Sequence, residues 1–242
     1  MEEKLKIYPN AEALSKGFTD FILNLLKVYP HMNIALSGGT TPKAIFDYWA
    51  ENCTDSIPWE RITLFWGDER CVPLENDMNN YSMTKEHLLS KIPNILPRNV
   101  RRIHGESEPE EEAERYGQIL ERKLLQNEGV PCFELVMLGL GDDGHTASIF
   151  PNQMKLWDSK KTCVVGEHPA SKMKRVSVSG TVINNAQYVV FLVMGENKAQ
   201  KVKDIIKDRE IFLNKYPAAR VNPKRGYLYW FMDEDAASML NV

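Results

Sequence analysis

The chain has 242 residues, with thirty Lys and Arg against thirty-three Asp and Glu and a net charge of −3. That balance leaves no cationic surplus to coat a polyanion, which argues against general nucleic-acid or membrane-surface binding and leaves room for a local basic pocket. A hydrophobic share of 43% is ordinary for a globular protein, and a chain of this length buries roughly 70–75% of its unfolded surface without needing a staple. Cys53, Cys71, Cys132 and Cys163 form no C-x-x-C pair, so they read as reduced, small apolar residues of a cytoplasmic protein. The opening MEEKLKIYP has no apolar signal region, and no apolar run reaches the ~18 residues of a membrane span. The sequons Asn52-Cys53-Thr54 and Asn80-Tyr81-Ser82 carry no meaning in that compartment. No repeat or long linker divides the chain, which reads as one domain over residues 1–242.

The elements alternate. Lys4–Tyr8 reads as a strand, and Leu14, Phe18, Phe21, Ile22, Leu25 and Leu26 mark an amphipathic helix over Asn10–Val28. NIALS (33–37) is a strand. A helix follows from Pro42, with proline at N1 and Thr41 as N-cap. ITLFW (62–66) is a strand and Tyr81–Leu89 a helix. The acidic run Glu106–Glu114 reads as the solvated start of a helix over Glu111–Glu128, with Tyr116, Ile119, Leu120, Leu124 and Leu125 on one side. FELVML (133–138) is a continuous apolar strand of the kind buried on both faces. Thr162–Val165, Arg175–Ser179, Tyr188–Met194 and Tyr227–Phe231 are further strands, with a helix at Lys198–Ile206. This alternation predicts an α/β fold: a three-layer αβα, Rossmann-like arrangement around a mostly parallel central sheet.

Ligands of such sheets bind beyond the carboxyl ends of the strands. Three polar segments fall there. In Ser37-Gly38-Gly39-Thr40-Thr41-Pro42, two glycines allow close backbone approach, and free N–H groups with two threonine hydroxyls make a nest for an anion. A tight turn with an N-cap accounts for the same residues equally well, and the P-loop pattern is absent. Gly67-Asp68-Glu69-Arg70 is either an ordinary surface turn or an arginine fork for phosphate, oriented by a carboxylate. Gly139-Leu140-Gly141-Asp142-Asp143-Gly144-His145 formally matches G-x-G-x-x-G, with Glu167 downstream. A dinucleotide is discounted, because Asp142 and Asp143 would occupy the phosphate positions and Pro151 cuts the following helix short. His145 is the better focus. Its neutral imidazole can take a proton at cellular pH, and Asp143 can hold one tautomer. Arg175 and Lys198 can complete an anion pocket if the loops converge. The remaining histidines share no ligand spacing, so no metal site is visible.

Taken together, ALSGGTTP (35–42), ITLFWGDERCVP (62–73), NNYSM (79–83), FELVMLGLGDDGHTASIFP (133–151), RVSVSGTVINNA (175–186), GENKA (195–199) and GYLYWFMDEDAA (226–237) resemble the 6-phosphogluconolactonase family, which is related to the glucosamine-6-phosphate isomerases and deaminases. The resemblance implies hydrolysis of 6-phospho-D-glucono-1,5-lactone to 6-phosphogluconate in the oxidative pentose phosphate pathway, with no metal or cofactor. It carries the general base onto His145 and substrate or phosphate contacts onto Gly38, Gly39, Thr40, Arg70, Arg175 and Lys198, with Asp68 and Asp143 in support. The implied partner is a small phosphosugar lactone, bound by a monomer or small homo-oligomer, with no nucleic acid and no membrane. The deaminases carry an added glutamate after D-G-H, where this chain has Thr146-Ala147-Ser148-Ile149-Phe150-Pro151. Ser177 and Ser179 replace the usual threonines, and Tyr216-Pro217-Ala218-Ala219 replaces a stretch that often begins with leucine.

Overall fold

Seven strands form one sheet in the computed structural model, which describes residues 3–240. In chain order the strands are β1 (Glu3–Tyr8), β2 (Met32–Leu36), β3 (Ile62–Trp66), β4 (Asp68–Arg70), β5 (Val100–Arg101), β6 (Leu125–Asn127), β7 (Val130–Cys132), β8 (Leu135–Leu138), β9 (Cys163–Glu167), β10 (Lys174–Val178), β11 (Tyr188–Val193) and β12 (Tyr227–Asp233). The main sheet runs β1-β12-β11-β8-β2-β3-β5, and every pairing in it is parallel. The helices used below are α1 (Ala11–Val28), α2 (Thr40–Asn52), α3 (Asn80–Thr84), α4 (Pro109–Lys123), α5 (Gly180–Ile183) and α6 (Ala199–Lys207). Helices cover the sheet in the αβα arrangement that the alternating pattern predicts. All four residues of β8 are buried, as expected of a strand covered on both faces.

The helices form where pattern and caps agree. Asn10 caps α1 by accepting the Ala13 N–H at 2.9 Å, and Leu14, Phe18, Ile22, Leu25 and Leu26 face the core. Glu108 caps α4, Pro109 opens it, and three glutamates occupy its first turn. One of these, Glu112, is not solvated as expected: it is buried, pairs with Arg115 at 2.6 Å and accepts the His104 N–H at 2.7 Å.

Five readings need correction. The helix expected over Glu111–Glu128 stops at Lys123. Glu128 and Gly129, at φ 55° and 75°, then turn the chain into the β6–β7 hairpin, which leaves Leu125 exposed. The expected strands near Thr162–Val165 and Arg175–Ser179 exist but do not join the parallel sheet. The connection between β9 and β10 is too short for a crossover, so they pair antiparallel. Their third partner is β4, so Asp68, Glu69 and Arg70 form a strand rather than a turn. Finally, α2 begins at Thr40 with Gly39 as its cap. Glycine accepts the φ of 102° there, Thr41 lies buried inside the first turn, and no side chain caps the helix. The helix expected over Tyr81–Leu89 starts one residue earlier and widens into a π-helical turn at Lys85–Leu89. Among the described residues no helix is long and apolar enough to cross a membrane.

Tyr116 ties α4 to the carboxyl end of β3. Its fully buried hydroxyl accepts the Trp66 N–H at 2.9 Å and donates to the Trp66 carbonyl at 3.0 Å. Tyr116→Phe leaves both groups without that partner, so we expect a loss of ~1–3 kcal/mol in urea unfolding with an unchanged far-UV spectrum.

Candidate active site

The register of β2 aligns the three polar segments. Ala35 pairs with Val136 on one side and Leu36 with Trp66 on the other, and Gly67 extends the ladder by donating to the Leu36 carbonyl at 2.8 Å. The segments after β2, β3 and β8 therefore leave the sheet side by side. A Cβ placed on Gly139 would lie 3.7 Å from Ser37 Oγ, so the first and third loops are in contact range.

In the third loop, His145 Nδ1 lies 2.6 Å from Asp143 Oδ1, and the same oxygen accepts the His145 N–H at 3.0 Å. The loop closes tightly. Gly141 N–H donates to the His145 carbonyl at 2.9 Å, and a Cβ on Gly141 would meet the imidazole at 2.1 Å, so only glycine fits beneath the ring. Thr146 donates its hydroxyl to the Gly139 carbonyl at 2.8 Å. Burial pushes the Asp143 carboxyl up, but the hydrogen bond and charge of His145 outweigh it and hold the carboxyl at about 2. An ionised carboxylate only accepts, so the neutral imidazole carries its hydrogen on Nδ1 and keeps the Nε2 lone pair free.

The second segment meets the third through a buried pair. Ser148 donates its hydroxyl to Asp68 Oδ2 at 2.5 Å, and its N–H donates to Ser177 Oγ at 3.1 Å. These contacts hold Ala147 at φ 47°, a left-handed conformation that is uncommon outside glycine. Arg175 stands directly opposite Arg70 across the β4–β10 ladder. Both Nε atoms are buried and find no acceptor in the protein. Burial draws the Arg175 pKa below its ordinary value; Asp68 opposes that shift and Arg70 adds to it. The Arg175 guanidinium lies 5.4 Å from the Phe150 ring, whose centroid is 4.7 Å from that of His145. Phe150 thus bridges the arginine pair and the imidazole.

The other expected residues fall as follows. Gly38 is half-buried, Gly39 and Thr40 are exposed at the start of α2, and Asp68 is buried. Lys198 pairs with Asp142, which also accepts from Asn197 Nδ2 at 3.1 Å. Its ammonium therefore docks on the Gly139–His145 loop rather than on the arginines. Three site neighbours escaped the sequence reading: Glu69, Asn80 and Phe150. Glu69 is fully buried, and burial pushes its carboxyl up to about 7 against three N–H donors that pull the other way. Neither Glu69 nor Asn80 carried a sequence signal of its own, because their partners are backbone N–H and carbonyl groups. Among the described residues, no three His, Cys, Asp or Glu side chains are grouped to hold a metal ion.

The profile described as glucosamine-6-phosphate isomerases/6-phosphogluconolactonase matches residues 9–230. The chain belongs to this family. A 6-phosphogluconolactonase from Treponema pallidum is 40% identical over 205 residues, which cover 85% of each chain. One from Aggregatibacter actinomycetemcomitans is 35% identical over 235 residues, covering 96% of this chain and 98% of that protein. The solved structure of 6-phosphogluconolactonase from Trypanosoma brucei superposes with a TM-score of 0.87 at 28% identity, covering 99% of both chains. The αβα arrangement of this chain is that of its family.

The depressed Asp143 pKa has a pH consequence. Its folded value of about 2 lies below the ordinary 3.8, so the stability it contributes is present above about pH 4 and is lost as pH falls toward 2. In urea unfolding, the gap between the chain and Asp143→Asn should narrow as pH falls from about 4 toward 2. A gap that widens on acidification contradicts this coupling.

Proposed function

We propose that the chain hydrolyses 6-phospho-D-glucono-1,5-lactone to 6-phosphogluconate with His145 as general base. The observation that carries this reading is the Asp143–His145 contact of 2.6 Å beside two opposed arginines with unpartnered Nε donors. A sugar phosphate brings about −1.5 to −2 charge. Arg70 and Arg175, with the N–H groups and hydroxyls of Gly38, Gly39, Thr40 and Thr41, are suited to receive it, and forked guanidinium donors match phosphate oxygens. Lys198, held by Asp142 at the rim, adds a positive charge toward the sugar. Asp68 serves by fixing Ser148 and the backbone that follows His145.

The chemistry then follows from the imidazole. Nε2 takes a proton from water as its oxygen attacks the lactone carbonyl carbon. The C1–ring oxygen bond breaks as the tetrahedral intermediate collapses, and the imidazolium returns its proton to the departing ring oxygen. Asp143 stabilises the imidazolium without taking its proton. General base catalysis of this type contributes ~10²–10⁴-fold, or roughly 3–5 kcal/mol.

A glucosamine-6-phosphate deaminase is the competing reading, supported by the shared family. Against it, residues 146–151 hold no carboxylate, and Thr146 and Ile149 close that segment into a bridge. The proposed substrate and metal-independent chemistry fit a single-domain cytoplasmic enzyme acting as a monomer or small homo-oligomer.

Lactone hydrolysis coupled to 6-phosphogluconate dehydrogenase, corrected for spontaneous hydrolysis, tests the reading. His145→Ala should lower kcat at least ~10²-fold while 6-phosphogluconate still binds. Arg70→Ala should chiefly raise KM. Ammonia release from glucosamine 6-phosphate without lactone turnover would select the deaminase instead.

A further inference from the structure

Glu69 sits between two proposed site residues yet has no part in the chemistry above. Alternation along β4 turns its side chain away from the face that carries Asp68 and Arg70. The carboxylate is fully buried. Oε1 accepts the N–H groups of Arg70 and Asn80, each at 2.7 Å, and Oε2 accepts the N–H of Tyr81 at 2.7 Å. One side chain thus joins β4 to the start of α3.

Two further contacts link that junction to the anion cradle. Arg70 Nη1 donates to the Met78 carbonyl at 2.6 Å, so the guanidinium is steadied by the segment that Glu69 holds. Asn80 Nδ2 donates to the Asp68 carbonyl at 3.0 Å, while its buried Oδ1 has no protein partner and lies 1.9 Å from where a Cβ on Gly38 would be. Asn80 therefore occupies the space beside the glycine loop. Through Asn80 and Met78, the carboxylate is connected to both sides of the cradle, the arginine side and the glycine side.

We propose that Glu69 is a positioning residue for phosphosugar recognition: its buried carboxylate, with Asn80 as its far end, sets the distance between Arg70 and the Gly38-Gly39 loop. The inference rests on the reading that these two elements receive the phosphate. Glu69 touches no substrate. Its role lies in ground-state and transition-state binding alike, so its loss should appear in KM rather than kcat. Glutamine keeps the shape but presents an NH2 where an N–H donor must be received, so one of the three bonds is replaced by a repulsion.

The chain, Glu69→Gln, Arg70→Ala and the double variant are compared for lactone kinetics, for calorimetric affinity toward 6-phosphogluconate and for thermal unfolding. Glu69→Gln should raise KM about tenfold, weaken 6-phosphogluconate binding by a similar factor and lower kcat less than about threefold. In the Arg70→Ala background it should add less than about twofold, because both changes act on one interaction. An unchanged KM, a fall confined to kcat, or effects that multiply in full with those of Arg70→Ala would each overturn the proposal. If Glu69→Gln does not fold, Asn80→Ala decides, since it keeps the carboxylate and its three donors and removes only the amide beside Gly38. A raised KM with kcat retained supports the proposal, and an unaltered KM overturns it. Absence of lactone turnover in the unmodified chain would strike the lactonase reading alone, because 6-phosphogluconate affinity still reports on Glu69.

Discussion

The parallel pairing of β2 with β3 on one side and β8 on the other is the constraint on which the candidate site depends. Parallel strands share a direction, so their carboxyl ends emerge on one edge and their connecting helices lie on the two faces. With Leu36 level with Trp66 and Ala35 level with Val136, residues separated by about a hundred positions in the chain leave the sheet as neighbours. A slip in this pairing would carry Ser37–Thr41 away from Gly139–His145 and break the packing of side chains buried on both faces. The continuous burial of β8 supplies energy that opposes such a slip.

A second, smaller sheet turns that edge into an electrostatic site. Antiparallel pairing sets Arg70 and Arg175 opposite one another, an arrangement that is unfavourable for like charges until an anion joins them. Asp68 and Glu69 offset part of the repulsion without meeting either guanidinium head-on. Ser148 anchors Asp68, and three backbone N–H groups hold Glu69, so neither acid pairs with the buried arginine Nε atoms. Phe150 then contacts both the Arg175 guanidinium and the imidazole. The cationic and basic groups are thus neighbours without neutralising one another.

The legible parts of the fold were those written in contiguous residues. The strand FELVML, the Asn10 cap with the helix behind it, and Pro109 at the opening of α4 each carry their signal within a few positions. The errors came where partners decide. RVSVS reads as a strand in any sheet, and only the short β9–β10 connection makes it antiparallel. Helical spacing ran through Leu124 and Leu125, but Glu128-Gly129 could turn the chain and the hairpin prevailed. In the site, Asp143 and His145 were visible together because two positions separate them. Glu69 and Asn80 were not, because their meaning lies in backbone N–H groups that no residue pattern displays.

By itself the sequence determined the alternation of strands and helices, the placement of glycine-rich and charged segments at strand ends, and the imidazole–carboxylate pair, since each depends on local conformational preference and short-range spacing. Tertiary structure alone decided which strands pair, that Arg70 faces Arg175, that Lys198 docks on Asp142, and that Glu69 spans from β4 to α3. The physical reason is that these contacts join residues from distant parts of the chain. Their partners are selected by the packing of the whole sheet and its helices, which no local pattern records.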